Sequence, residues 1–202
     1  MKITIAKDGY PFIFGALIAV AFAHFLNFKY LTYLFILGTA FFLVFFRNPE
    51  RIIPKQKGIL VAPADGVVKR VFKMGKLKEI YIFVRPLDVH INRSPVSGIV
   101  EKIEPKHGKH KMAFRKSATE NEENYITIKS GKNKIIVVQV VGFIARRIRC
   151  WVNLFDKLEI GQPIGMLLFS SGTRIIMPAK AKILVKEKQI IKAGETIIAK
   201  IK

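Results

Sequence analysis

Tyr125-Ile126-Thr127-Ile128-Lys129 and Lys134-Ile135-Ile136-Val137-Val138-Gln139-Val140-Val141 are two short runs rich in β-branched side chains, separated only by Ser130-Gly131-Lys132-Asn133. Branched side chains pack well on a pleated, half-buried surface, and glycine punctuates the runs, so both read as strands. The same texture extends outward in both directions, over residues 67–72, 79–84, 98–104, 148–152, 165–169, 174–177, 181–186 and 195–201. Close and regular spacing of this kind predicts a mostly β chain, an antiparallel sandwich or barrel-like domain over residues 47–202. Long amphipathic helical periods are missing there. The extended polar stretch 106–123, which carries His107 and His110, predicts a loop over one face. No phosphate-binding loop, dinucleotide fingerprint or His-Glu-x-x-His helix is present in the sequence.

The 202 residues are 50% hydrophobic yet carry a net charge of +21, and the two properties are segregated. Up to Phe46 there are three basic residues (Lys2, Lys7, Lys29) and one acid (Asp8), which leaves 32 cations against 13 acids, or +19, on residues 47–202. Between Pro11 and Phe46, 28 of 36 residues are apolar, and ten of the sixteen phenylalanines lie there. This predicts a membrane-associated helical hairpin over residues 1–46, divided at Asn27-Phe28-Lys29-Tyr30 into segments 11–27 and 31–46. Each is about 24–26 Å long as a helix, against a hydrocarbon core of about 30 Å. Lys2 and Lys7 flank one end and Arg47, Arg51, Lys55 and Lys57 the other, so the positive-inside bias puts both ends, and the body, on the cytoplasmic face of the cell membrane. The single cysteine, Cys150, excludes an internal disulfide framework and a cysteine-built metal site.

Of the four histidines, His24 lies inside the apolar hairpin, and His107 and His110 sit among lysines without acidic or thiol groups at metal-ligand spacing. His90 differs, because Arg85-Pro86-Leu87-Asp88-Val89-His90-Ile91-Asn92-Arg93-Ser94-Pro95 follows a strand and is bracketed by proline. Rigid loops at strand ends are where sites are built. Asp65, in Ala62-Pro63-Ala64-Asp65-Gly66, reads from spacing alone as a turn aspartate bonding its own backbone. Leu168-Phe169-Ser170-Ser171-Gly172-Thr173-Arg174 reads as a hairpin turn with glycine at the positive-φ position.

Taken in order, Phe45-Phe46-Arg47-Asn48-Pro49-Glu50-Arg51, Pro63-Ala64-Asp65-Gly66, the 86–98 segment around His90, Glu120-Asn121-Glu122, Gln139-Val140-Val141-Gly142-Phe143-Ile144-Ala145-Arg146-Arg147-Ile148 and Gly194-Glu195-Thr196 resemble the short (type A) branch of the phosphatidylserine decarboxylases, whose archaeal members act on archaetidylserine. The resemblance covers nearly the whole chain. It implies a proenzyme whose own serine attacks the preceding carbonyl, so that the chain splits and the serine becomes a covalent pyruvoyl group. That group takes the substrate amine as a Schiff base and accepts the electrons released as carbon dioxide departs, a role pyridoxal phosphate plays elsewhere.

The family's processing motif is Phe-Gly-Ser-Arg, and Gly165, Phe169 and Pro178 frame it here at the family's interval. Ser171 then matches the reactive serine and becomes the pyruvoyl precursor, with cleavage between Ser170 and Ser171. Ser170 stands where the family has glycine, and Gly172 where it has arginine. Bacterial histidine decarboxylases resemble this arrangement with cleavage between two serines. A gapped match would make Thr173 the nucleophile but breaks the spacing to Pro178. His90 matches the family's histidine near the Schiff base and is expected to reprotonate the α-carbon. Asp65 matches the carboxylate that assists self-processing. Arg93 stands where longer relatives have a second histidine and is expected, with Arg146 and Arg147, to bind the substrate's phosphate or carboxylate. The implied partners are an anionic phospholipid, the membrane, and the fragments 1–170 and 171–202 joined as a heterodimer, with a homo-oligomer left open. The rival reading is a non-catalytic membrane-tethered β module, either a relative that lost processing when glycine became Ser170, against which His90 and Asp65 are both present, or a carrier-like domain, against which no lysine is presented at a hairpin tip. Nucleic-acid binding, invited by the charge, lacks aromatic interleaving in the basic stretches.

Overall fold

The computed structural model describes residues 2–106, 108, 122–141, 147–168 and 171–201, without the side chains of Met74 and Ser171. His107, His110, Arg146 and Ser170 lie outside the described residues, as does most of the 106–123 stretch. The chain divides into two compact units, Met1–Glu50 and Arg51–Lys202.

In the first unit, β1 (Ile3–Ile5) leads through a 3-10 turn at Lys7–Gly9 into α1 (Tyr10–Phe25), then α2 (Lys29–Phe45) and β2 (Arg47–Pro49). Pro11 falls in the first turn of α1, where its missing N–H costs nothing. The reversal between the helices turns on Asn27 at φ 56, a left-handed conformation that asparagine tolerates. Antiparallel pairing of β1 with β2, Thr4 opposite Asn48, ties the two ends of the hairpin together. Gly9 is required beside Phe46, because a Cβ there would lie 2.5 Å from that side chain. Thr32 and Thr39 turn their hydroxyls onto the Phe28 and Phe35 carbonyls, at 3.0 and 2.9 Å, so neither presents a bare polar group on an apolar helix. Phe14, Ile18, Phe22, Phe25, Tyr33 and Leu37 are all more than 60% exposed. Lys7–Phe25 is long and apolar enough to cross a membrane, and Lys29–Phe45 is shorter. An N-terminal apolar helix of this kind is compatible with membrane association.

The second unit is built of β3 (Ile59–Val61), β4 (Gly66–Met74), β5 (Leu77–Val84), β6 (Ile91–Arg93), β7 (Gly98–Lys106), β8 (Glu123–Ser130), β9 (Asn133–Val141), β10 (Arg147–Cys150), β11 (Lys157–Leu158), β12 (Pro163–Leu168), β13 (Ser171–Pro178), β14 (Lys182–Ile183), β15 (Ile190–Ile191) and β16 (Ile197–Lys200). Eight of these form a curled antiparallel sheet, a half-barrel in the order β11-β7-β8-β9-β13-β5-β4-β15. Two three-stranded sheets, β10-β12-β6 and β14-β16-β3, accompany it. The mostly β, antiparallel fold class expected from the sequence is therefore present.

Alternation along β5 and β13 sends Ile80, Ile82, Ile175 and Met177 into one apolar cluster with Leu60, Val68 and Ile198. A second cluster gathers Val100, Ile126, Ile128, Val137 and Ile164. Burying a side chain of this size contributes about 1.5–3 kcal/mol.

Two local readings are corrected. The 181–186 run is a strand only at Lys182–Ile183, with one further backbone bond from the Leu184 N–H to the Ile198 carbonyl at 2.9 Å. The 168–174 segment is not a hairpin: β12 and β13 follow each other in sequence but belong to different sheets. Gly172 is a strand residue in β13, not a turn residue, and its lack of a side chain makes room for the Tyr81 ring, whose atoms would lie 2.5 Å from a Cβ. Gly66, at φ 146, does need glycine, since a Cβ there would meet the Phe83 carbonyl. Gly66→Ala is expected to cost at least about 2 kcal/mol, read as a drop in the thermal midpoint, whereas Gly75→Ala, in open space though also at positive φ, costs less.

Candidate active site

The junction between β12 and β13 is held from both sides. On the upstream side the Leu167 N–H donates to the His90 carbonyl at 3.0 Å, Met166 stands opposite Ile91, and Leu168 stands opposite Arg147. Downstream, Ser171 stands opposite Val84 of β5 and Val141 of β9. Residues 85–90, which join β5 to β6, therefore span between the same two sheets that the chain joins between Leu168 and Ser171.

That 85–90 segment is rigid for a local reason. Asp88 accepts the Arg85 backbone N–H at 2.9 Å and the Nε and Nη2 of its guanidinium at 2.9 and 2.8 Å, while the Asp88 N–H closes a turn on the Arg85 carbonyl at 2.9 Å. Burial raises the Asp88 pKa, but the bonds from Arg85 and the attraction of its charge outweigh it and hold the carboxyl below its ordinary range. The Asp88 carbonyl, 2.8 Å from His90 Nδ1, only accepts, so Nδ1 carries the proton. In the neutral form of the 1% exposed His90 ring, Nε2 is then the nitrogen without a proton.

Asp65 does not bond its own backbone. Its Oδ1 and Oδ2 accept from Arg51 Nη2 at 3.0 and 2.8 Å, and Oδ1 also accepts the Ala193 N–H at 2.7 Å. Glu195 lies 3.8 Å from Arg51 on the other side. Arg93 is buried at 6% exposure, and its Nη1 donates to the Gly161 carbonyl at 3.0 Å. Burial, with repulsion from Arg51, holds the Arg93 pKa below its ordinary value against the opposing pull of Asp65 and Glu195. The structure thus gathers Asp65 with Arg51, Arg93 and Glu195, and puts His90 against Asp88 and β12. Arg147 is exposed at the start of β10.

Several polar residues are buried here, of which Asn92, Gln139 and Asn124 were given no site role from the sequence and Thr173 only as the nucleophile of the gapped match. Asn92, Gln139, Asn124 and Thr173 form one chain: Asn124 Nδ2 donates to Gln139 Oε1 at 3.0 Å, Gln139 Nε2 to Asn92 Oδ1 at 3.0 Å, and Asn92 Nδ2 to Thr173 Oγ1 at 2.9 Å and to the Pro63 carbonyl at 3.3 Å. The available signal was a lone amide, Gln139, inside the otherwise apolar run 135–141. On the other face of the sheet, Arg174 Nη2 reaches Glu123 at 2.6 Å and the Tyr125 hydroxyl at 3.1 Å, with Glu79 3.6 Å from Nη1. Burial pushes the Tyr81 hydroxyl beside this cluster up to about 12, against the pull of Arg174 and Arg70.

His90, with Nδ1 fixed on the Asp88 carbonyl, thus ends the segment that enters β6, while Asp65 lies in a separate buried carboxylate–arginine cluster. Residues 39–199 match the family model described as phosphatidylserine decarboxylase, and the chain belongs to that family. It is 37% identical over 211 aligned residues to the phosphatidylserine decarboxylase proenzyme of Desulfotalea psychrophila, covering 99% of this chain and 98% of the relative. The proenzymes of the same name from Carboxydothermus hydrogenoformans (38% identity, 97% and 96% covered) and Symbiobacterium thermophilum (39%, 98% and 95%) are similar throughout. The rival reading as a non-catalytic module is not favoured.

Breaking the Arg51–Asp65 pair from one side leaves a buried charge. Asp65→Ala is expected to cost about 3 kcal/mol, while the double variant Arg51→Met/Asp65→Leu costs clearly less. Chemical denaturation of the three proteins checks this.

Proposed function

We propose that this chain is a membrane-attached proenzyme that splits between Ser170 and Ser171 and then decarboxylates phosphatidylserine, or its ether counterpart archaetidylserine, to the ethanolamine lipid. Family membership and the proenzyme relatives support it. The observation that carries it is the separate fastening of the two strands that flank the proposed cut. β12 is paired with β10 and β6, and β13 with β5 and β9, so a cut between them leaves each strand in its own ladder.

In the proposed self-processing, the Ser171 hydroxyl adds to the carbonyl of residue 170 and the amide becomes an ester as the nitrogen departs. Elimination releases the carboxylate of 1–170, and hydrolysis of the remaining dehydroalanine releases ammonia. The pyruvoyl group left at 171 supplies the carbonyl that draws off the electrons freed as carbon dioxide departs. The residues present fit such a group: position 171 opens a strand paired along both edges, and the His90 carbonyl is bonded to Leu167 of the strand leading to it. The piece 171–202 then remains bound to 1–170 as a heterodimer, because β13, β15 and β16 stay paired with β5, β9, β4 and β3.

His90 exchanges its proton at Nε2 and is the proposed acid that reprotonates the product carbon. Asp65, fixed by Arg51 and Ala193, is the proposed carboxylate assisting self-processing. Exposed Arg147, opposite Leu168, is the proposed phosphate ligand, with Arg146 beside it in sequence. Arg93 is the third proposed ligand of the substrate's phosphate or carboxylate, from a buried position in which its Nη1 is held by the Gly161 carbonyl. The hairpin and the +19 body are proposed to hold the protein on the cytoplasmic face, each cation near an anionic leaflet adding about 1 kcal/mol.

Intact mass after purification tests the reading. The expected result is two fragments, with a carbonyl at residue 171 that reacts with hydroxylamine. Ser171→Ala is expected to remain one 22.9 kDa chain, and His90→Ala to split yet lack turnover. A wild-type chain that stays whole overturns the proposal.

A further inference from the structure

We propose that Asn92 is a positioning residue that locks together the three segments carrying Asp65, His90 and Ser171. The inference rests on the reading of residue 171 as the processing position. Asn92 lies two residues after His90. Its Nδ2 reaches the carbonyl of Pro63, two residues before Asp65, at 3.3 Å, and the hydroxyl of Thr173, two residues after Ser171, at 2.9 Å. One carboxamide therefore joins all three segments.

The bond to Thr173 has no backbone substitute. β6 pairs with β12 in a three-stranded sheet, whereas β13 pairs with β5 and β9 in the large one, so no ladder joins β6 to β13. Asn92–Thr173 is a direct cross-sheet bond between side chains. The 63–66 segment is tied in through the Pro63 carbonyl, which also accepts the Arg93 N–H at 2.9 Å.

The orientation of the amide is determined as well. A carbonyl only accepts, so the Nδ2 end must face Pro63, and Oδ1 must face the Gln139 Nε2 that donates to it. Gln139 is oriented in turn by Asn124, which donates to its Oε1. All four side chains are buried, with Asn92 at 1%, Gln139 and Thr173 at 0% and Asn124 at 4% exposure. Room for the Gln139 amide comes from Gly165, where a Cβ would lie 2.7 Å from Nε2. A buried polar chain stabilises less than an apolar core of equal volume, but each member has a fixed partner and so specifies one arrangement.

The test compares splitting rates of the full-length proenzyme by intact mass, well below each variant's melting point, with stability measured separately in the uncleavable Ser171→Ala background. Asn92→Ala and Thr173→Val are expected to slow splitting by about tenfold to a hundredfold, and Thr173→Ser, which keeps the acceptor, to stay near wild type. Asn124→Ala, two bonds away from the three segments, is expected to lower stability without a comparable loss of rate. Asn92→Asp donates to the Pro63 carbonyl only when protonated, so its rate relative to wild type is expected to rise as pH falls. Wild-type splitting rates in Asn92→Ala and Thr173→Val overturn the inference, as does an equal slowing in Asn124→Ala at matched stability. A wild-type chain that never splits overturns the reading of residue 171 itself, an outcome distinct from both.

Discussion

Strand β13 is paired along both edges in the interior of the eight-stranded sheet, yet the strand just before it belongs to another sheet. The rest of the second unit is organised around that constraint. A chain crossing between sheets has no hairpin ladder of its own, so the segments on either side must be secured by other strands. β10 and β6 secure the upstream side and β5 and β9 the downstream side. The 85–90 segment leaves one of these ladders and enters the other, which is why a histidine at its end lies against the strand leading to Ser171.

The charge distribution follows from what the interior needs. Asp65, Glu79, Asp88, Glu123 and Glu195 are all paired with arginines, at Arg51, Arg85 and Arg174. Burial of a guanidinium is tolerable only with hydrogen-bonded counter-charges, and its planar fork suits carboxylates better than an ammonium does. Burial lowers the Arg174 pKa, but Glu123 and Glu79 outweigh it and raise the group above its ordinary value. The sequence holds 35 Lys and Arg against 14 Asp and Glu, so its positive charge exceeds what its acids can pair. The same allocation supplies rigid internal ion pairs and a basic exterior suited to an anionic surface.

Much of the architecture was legible in the sequence. The apolar hairpin followed from the segregation of phenylalanine from charge, and the longer strands from β-branched runs such as 134–141. The short strands β3, β6, β11 and β15 were not, because two or three residues carry no periodicity and pair only when longer neighbours present an edge. The ordered motifs drew His90 and Asp65 out of the sequence, but not the groups that they contact. Asp65 reaches Ala193, 128 positions along the chain, and no local pattern encodes a bond of that span.

The sequence by itself determined that an apolar hairpin precedes a basic antiparallel β domain, and it placed a histidine, an acid and a serine in an ordered set of motifs, because composition, alternation and motif order are properties of the linear chain. Only the tertiary structure decided that the chain passes from one sheet to another between β12 and β13 instead of turning back, that Gly172 makes room for Tyr81, and that Asn92 reaches both Pro63 and Thr173. Those outcomes depend on which strand edges meet and which side chains share a buried space, and that is settled only when distant segments pack.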